Sequence, residues 1–260
     1  MGMEDIRKRL KISREIRNPH LRKGQSVLPN QPIANVTNIS EISQKIDVKR
    51  DALSNLYLGN SFNPNYINSQ KGKKIIVCGC GNSIKYLNDT GDAIIIGVND
   101  IERKLTPHYL LVVNHPGSFT RDRWSFVCQT NAEVVITQIK NLSIANQEKL
   151  VYINLGSRGG YNLENPDKID FSNNSPYMGV ILAYFLGASK IGIIGVDFTE
   201  NHFFKDSGKH RLSSGFSDIN KEYENLGKSL QSKGVEIANL SSESNLTFWP
   251  KTTISEFLKD

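Results

Sequence analysis

The sequence has 260 residues, 38% of them hydrophobic, which is enough to bury the core of one large α/β domain. No run approaches the roughly 20 apolar residues of a membrane-spanning helix, and the charged N-terminus lacks the apolar segment of a secretory signal. The three cysteines, Cys78, Cys80 and Cys128, make neither a disulfide framework nor a four-cysteine zinc site. We therefore expect a cytoplasmic protein with reduced cysteines.

Basic residues are concentrated at the start of the chain. The formal net charge is +6, and residues 1–25 hold eight Lys or Arg against three acidic residues, which leaves +1 for the other 235 residues. Such an arm can contact an anionic membrane surface or nucleic acid through its charge, can contact a second copy in a homo-oligomer, or can stay solvated. Membrane contact would place the protein at the inner membrane face. We predict an arm and linker over residues 1–70 and one α/β domain over residues 71–260.

The stretch from Lys73 to Ser83 organises that domain. Its apolar run, Ile75 to Cys78, lies between charges and glycines, which is typical of a strand buried on both faces. Gly79 and Gly81 allow a tight turn, and a helix is predicted to begin at Ser83. A strand, a glycine turn and a helix N-terminus can aim backbone N–H groups at a phosphate. The stretch therefore predicts a nucleotide site.

Strands and helices alternate after this stretch. Further strands are predicted at Asp92–Val98, His108–Val113, Glu133–Thr137, Leu150–Asn154, Lys190–Val196 and Val235–Leu240. Longer helices are predicted at Pro176–Leu186 and Ile219–Lys233. This alternation predicts an α/β fold with a doubly wound, mostly parallel Rossmann-like sheet.

Polar side chains follow several of these strands where each strand ends. They are Asn82 and Ser83, Asn99 and Asp100, Asn114 and His115, and Asp197. Ligands bind along the carboxyl edge of open parallel sheets, and Asn can pair with a base or a ribose without adding charge. We expect these groups to converge on one nucleotide-binding crevice.

The sequence motifs of a dinucleotide site and of a metal site are incomplete or absent. Gly79 and Gly81 resemble the first half of a dinucleotide-binding G-x-G-x-x-G, with Asp100 near the ribose-binding acid, but Ile84 occupies the third glycine position. The five histidines include no H-E-x-x-H motif, and the sequence has no D-x-D and no G-x-x-x-x-G-K-[ST]. The motifs therefore predict no metal site.

The order of these motifs resembles the bacterial sialyltransferases of glycosyltransferase family 42 and the related motility accessory factors. The resemblance covers residues 73–250. It rests on the loop from Gly79 to Ser83, on Asn99 and Asn114 after their strands, on Ser175 before an apolar helix, on the Gly-x-Asp-Phe at 195–198, and on His210 in a lid at about residues 199–217.

The resemblance implies a single-domain, GT-A-like fold and inverting, metal-independent transfer from a CMP-linked acidic sugar. It places the general base on His210 and donor contacts on Gly79, Gly81, Asn82, Ser83, Asn99, Asn114 and Ser175. Asp197 is a second catalytic candidate, which can bond a sugar or orient a lid residue, and His115 and His202 are reserve bases. Arg158, in a glycine-rich loop, is a candidate ligand for a carboxylate or phosphate.

The chain departs from the family pattern in the loop after its first strand, in its lid and in its basic N-terminal extension, which leaves alternatives open. Asn82 replaces the loop proline, and Phe203 to Lys205 replace the tyrosines that hold the leaving phosphate in the family. The acceptor can be a glycan, a protein or a nucleic acid, and the donor can instead be a UDP or GDP sugar. A pterin pyrophosphokinase-like transferase and a non-catalytic nucleotide-binding module are further alternatives.

Overall fold

The computed structural model describes residues 61–199 and 215–259. Within these ranges, seven parallel strands form one sheet in the order β5-β4-β3-β2-β1-β8-β9. The strands are β1 (Lys74–Cys78), β2 (Ile94–Val98), β3 (Tyr109–Val112), β4 (Val134–Thr137), β5 (Leu150–Tyr152), β8 (Lys190–Ile194) and β9 (Glu236–Asn239). This topology confirms the predicted α/β class.

Each strand supplies side chains to two cores, because successive residues of a strand point to opposite faces. On β1, Ile75 and Val77 pack into one core, and Ile76 and Cys78 pack into the other. Both faces of β1 are therefore buried, as the continuous apolar run predicts.

Helices cover both faces of the sheet. The first core contains α3 (Ser175–Phe185), whose residues are buried except for Tyr184, and the apolar side of α4 (Phe216–Ser232). The second core contains residues of α2 (Arg121–Cys128), α5 (Ile254–Leu258) and the 3-10 helix Asn82–Tyr86. The predicted short helix after β1 is thus a single 3-10 segment.

Several short elements escape the sequence patterns. They are α2, α5, α1 (Phe62–Asn65) and a separate two-stranded sheet of β6 (Leu155–Arg158) and β7 (Ile169–Phe171). Exposed side chains on β6, and an α2 of eight residues that buries only Val127, leave too short an apolar pattern to predict either element from the sequence.

Residues 61–72, which sequence analysis assigns mainly to a linker, pack on the domain. Phe62 is buried in the first core, and the N–H groups of Asn68 and Gln70 donate to the carbonyls of Phe185 and Leu186. The predicted boundary after residue 70 therefore falls inside a packed segment. The basic arm, and His202 and His210 of the lid, lie outside the described residues.

Candidate functional site

A cleft of about 210 Å³ opens at the carboxyl ends of β1, β2, β3 and β8. The sheet order reverses between β1 and β8, and ligands of open α/β sheets bind at such a switch point. The lining residues are Cys80, Gly81, Val98, Asn99, Asn114, Arg123, Asn173, Asn174, Ser175, Pro176, Gly195, Val196, Asp197, Phe198 and Thr199. Among the residues predicted from sequence, Gly81, Asn99, Asn114, Ser175 and Asp197 line this cleft, and Gly79, Asn82 and Ser83 do not.

The glycines after β1 allow close contact with the chain that leaves β8. The N–H groups of Gly79 and Gly81 donate to the carbonyls of Ile194 and Gly195, each at 2.8 Å. A Cβ on Gly79 would lie 2.3 Å from the carbonyl oxygen of Gly195, so no larger residue fits without backbone movement. Two of the N–H groups that we expected to face a phosphate are therefore used within the fold.

Asp197, which lines the cleft, links the loop after β1 to Ser241. Its buried carboxylate accepts hydrogen bonds from the Ser83 N–H at 2.7 Å, the Ser83 hydroxyl at 2.5 Å and the Ser241 hydroxyl at 2.7 Å. The Ser83 oxygen also accepts from the Gly195 N–H at 2.9 Å. Ser83 is thus buried inside the scaffold, and the bond from Ser241 to Asp197 joins residues 44 positions apart in the chain.

Asn99 and Asn114 form the opposite wall of the cleft. Asn99 has a φ of +56°, a left-handed conformation that is uncommon outside glycine but tolerated by Asn, and that often occurs at functional sites. The Asn114 amide donates to the Asn99 side-chain oxygen at 3.3 Å, so the two side chains lie together. Their remaining donors and acceptors are available to a ligand in the cleft.

The N-terminal end of α3 closes a third side. Asn174, the N-cap residue, accepts a hydrogen bond from the buried Tyr223 hydroxyl at 2.7 Å, which fixes the amide beside the cleft. Burial raises the pKa of Tyr223 well above its ordinary value, so this hydroxyl remains a donor. Ser175 follows as the first residue of the helix.

Arg123 of α2 lines the cleft and was missed by the sequence analysis. Its guanidinium donates to both oxygens of Asp100, from Nε at 2.9 Å and from Nη2 at 2.6 Å. The hydrogen bonds with Asp100 raise the pKa of Arg123 above its usual range. Asp100 is fully buried, so it is not positioned as the ribose-binding acid of a dinucleotide fold. Only the fold brings these two residues, 23 positions apart, into contact.

Other candidates lie elsewhere. The Asn82 amide donates to Glu243 at 3.0 Å, and the Tyr86 hydroxyl donates to the same carboxylate at 2.9 Å. Arg158 lies on β6 and is not among the lining residues, and the His115 ring accepts from the Gly117 N–H at 3.1 Å outside the lining. Burial, followed by the charge of Asp100, raises the pKa of Cys80, so its thiol is neutral in the cleft wall.

No group of three or more His, Cys, Asp or Glu that could hold a metal ion occurs in the described part of the chain. None of the helices in the described ranges is long and apolar enough to cross a membrane.

No protein-family model and no curated protein matches the chain. Solved structures similar to it include the sialyltransferase CstII from Campylobacter jejuni in complex with a substrate analogue, CMP-3FNeuAc, at 16% identity over 69% of this chain and 85% of that chain, with a TM-score of 0.45. The monofunctional alpha-2,3-sialyltransferase Cst-I from the same organism has 18% identity over 74% of this chain and 84% of that chain, with a TM-score of 0.45.

A third structure is the Maf glycosyltransferase from Magnetospirillum magneticum AMB-1, with 14% identity over 73% of this chain, 35% of that chain and a TM-score of 0.47. These structures belong to the two groups that the sequence resembles. The identities are 14–18% and the TM-scores lie below 0.5.

Proposed function

We propose that this chain is a glycosyltransferase that binds a nucleotide sugar in the cleft and transfers the sugar, with inversion and without a metal, to an acceptor hydroxyl. A CMP-linked acidic sugar is the donor that the resemblance to the family 42 sialyltransferases implies. The acceptor is a glycan, or a hydroxyl of a protein or nucleic acid.

The observation that carries this proposal is the position and chemistry of the cleft. It lies at the β1–β8 switch point and is lined by Asn99, Asn114 and Asn174. Amide side chains supply paired donors and acceptors for a base and a ribose, and a switch point is where nucleotides bind to such sheets. The N-terminus of the 11-residue helix α3 lies on the third side of the cleft, where the helix dipole favours a phosphate.

The carboxylate of Asp197 in the cleft is already hydrogen-bonded to serine side chains and backbone, which disfavours a Mg²⁺-dependent phosphotransfer. Asp197 accepts three hydrogen bonds from Ser83 and Ser241, and the neighbouring Asp100 is paired with Arg123. Mg²⁺ is usually held by one or two carboxylates together with substrate phosphates. Asp197 acts here as a positioning residue, which holds the loop after β1 against the end of β8.

In the transfer step, His210 takes the proton of the acceptor hydroxyl while that oxygen bonds to the anomeric carbon. The bond from the anomeric carbon to the phosphate oxygen breaks, and the nucleoside monophosphate leaves with the bonding electron pair. A neutral imidazole with an ordinary pKa of about 6.5 is suited to this role. The transfer rate should therefore fall in acid, where the imidazole takes up a proton and can no longer act as a base.

Ligand binding is the first test. Thermal unfolding is measured with CMP, UMP, GMP, AMP and ATP, each with EDTA and with Mg²⁺, because a ligand that binds the native state raises its apparent stability. We expect CMP to raise the melting temperature most and EDTA to leave the effect unchanged. A shift that requires ATP and Mg²⁺ would overturn the proposal in favour of a pyrophosphokinase.

Transfer is then assayed with a CMP-linked acidic sugar and a mixed glycan acceptor pool. His210→Gln should reduce transfer by roughly 100-fold or more and leave CMP affinity unchanged, since general bases contribute about 10²–10⁴-fold. His115→Gln is the matched control and should retain the rate. Full activity in His210→Gln would remove His210 as the base.

A further inference from the structure

Arg123 lines the cleft, and only part of its guanidinium is hydrogen-bonded to Asp100. Its Nε and Nη2 atoms bind the two oxygens of Asp100, and the guanidinium lies 5.3 Å from the centre of the Phe119 ring. The side chain is 31% exposed, whereas the Asp100 side chain is fully buried. A guanidinium carries five N–H groups in one plane, so the Asp100 contacts leave donors on its other edge.

The Asp100 carboxylate is itself held in place from a second side. Nε of Arg103 lies 3.3 Å from the same Oδ2 atom, and this second arginine, 16% exposed, also pairs with Asp122. Arg103 is not among the residues that line the cleft, whereas Arg123 is. The two arginines therefore share one buried anion but have different access to a ligand.

Charge distribution along the cleft makes Arg123 the group that an anion would meet. Among the described lining residues Arg123 is the one cation, and the one anion, Asp197, is occupied by serine donors. The remaining polar lining side chains are amides and hydroxyls. A planar guanidinium matches the oxygens of a carboxylate or phosphate, and prior fixation by Asp100 lowers the entropy lost on binding.

We infer that Arg123 is the anion-recognising residue of the cleft, which binds an oxyanion of the donor through its free guanidinium edge. This inference rests on the proposed function, in which the donor carries two such groups. One is the phosphate of the nucleotide, and the other is the carboxylate of an acidic sugar. Both accept the same planar pair of hydrogen bonds.

The test compares Arg123→Lys with Arg103→Lys. Both variants keep the positive charge and disturb the contact with Asp100, so the loss of folding stability is expected to be similar, and thermal unfolding without ligand measures it. Calorimetric affinities are determined for cytidine, uridine, CMP, UMP and a non-reactive fluorinated analogue of CMP-sialic acid. The wild type and both variants are titrated at the same salt concentration.

We expect Arg123→Lys to weaken binding of an anionic probe about tenfold or more, as for loss of a charge-assisted hydrogen bond, and to leave cytidine affinity within about twofold. Arg103→Lys should leave every affinity within about twofold. A loss shared by CMP and the sugar nucleotide identifies the phosphate as the bound oxyanion, and a loss confined to the sugar nucleotide identifies the carboxylate.

Equal losses in the two variants, or unchanged binding of all anionic probes to Arg123→Lys, would overturn the inference and leave Arg123 a structural partner of Asp100. The proposed function is judged separately on the wild type. If the wild type prefers UMP to CMP and Arg123→Lys weakens UMP but not uridine, the CMP donor is wrong and the anion-recognising role stands. A wild type that binds no probe contradicts both.

Discussion

The two long walls of the cleft use their polar groups in different ways. On the β1–β8 wall, the N–H groups of Gly79 and Gly81 donate to the last residue of β8 and to Gly195 after it, and Asp197 bonds to Ser83 and Ser241. On the β2–β3 wall, Asn99 and Asn114 form one hydrogen bond with each other. Both line the cleft, and their remaining amide donors and acceptors can bind a ligand. The first wall is a closed internal network, and the second is open to a ligand.

The residues of the first wall therefore build the cleft, and those of the second wall are positioned to bind a ligand. The stretch from Gly79 to Ser83 looks most like a nucleotide-binding motif. Its backbone N–H groups and the Ser83 hydroxyl instead form hydrogen bonds that hold the ends of β1 and β8 together. Recognition then falls to the amides of the other wall and to the N-terminus of α3. Substitutions on the first wall should mainly change folding stability, and substitutions on the second should mainly change affinity.

The largest expected effect is that of Gly195→Ala on the first wall. Gly195 has a φ of +69°, and an added Cβ would lie 2.2 Å from the carbonyl oxygen of Gly79. We expect a loss of about 4 kcal/mol or more in the free energy of unfolding, measured by urea denaturation. Gly234→Ala is the control, because Gly234 has a φ of +79° with nothing near its Cβ, and should cost only about 1–2 kcal/mol. Equal costs would mean that contact between the two loops is not the reason for glycine.

Asp197→Asn should have the next largest effect. An amide cannot accept all three hydrogen bonds that the carboxylate accepts, so we expect a loss of about 2–3 kcal/mol in unfolding free energy. Ser241→Ala removes one of these bonds and should cost less, about 1 kcal/mol. If Asp197→Asn instead unfolds like the wild type while kcat falls at least 100-fold, then Asp197 belongs to the reacting machinery and the contrast between the walls fails.

On the second wall, Asn99→Gly and Asn114→Ala should each weaken CMP binding by about five- to tenfold in a calorimetric titration. Glycine is chosen at position 99 because it keeps the left-handed φ of +56° without the side chain. Unfolding free energies should stay within about 1 kcal/mol of the wild type, because these amides are not part of the closed network. Unchanged affinity in both variants would show that the ligand does not contact this wall.

The smallest effect concerns Glu243, which lies beyond the first wall. Hydrogen bonds from Asn82 and then Tyr86 hold the pKa of Glu243 below its ordinary value. A carboxylate with a lowered pKa in the folded state adds stability above its unfolded pKa and loses it as the pH falls through its folded pKa. Glu243→Gln should therefore destabilise by less than about 0.5 kcal/mol at pH 7, with the difference vanishing in acid, because the carboxylate is only partly buried and solvent weakens its hydrogen bonds. It should leave CMP affinity unchanged, and a tenfold loss would place Asn82 in contact with the nucleotide after all.

Sequence patterns were sufficient for the elements that bury long apolar surfaces. The runs around Ile75 and Ile193 predicted the strands of the sheet, and the apolar stretch within Pro176–Leu186 predicted α3. Burial on both faces leaves an uninterrupted apolar signal that neighbouring residues share. Short elements with exposed faces, such as β6 and α2, leave no such signal.

The sequence by itself determined the parallel sheet and the strand ends that carry Asn99, Asn114 and Asp197, because a residue just after a strand of a parallel sheet lies at its carboxyl edge. It did not determine what each polar group bonds to. Only the tertiary structure decided that Asp197 bonds to Ser83 and Ser241, and that Arg123 rather than Arg158 reaches the cleft. Hydrogen bonds and ion pairs form between residues far apart in the chain, and their partners are set by distances of a few ångströms that no local pattern encodes.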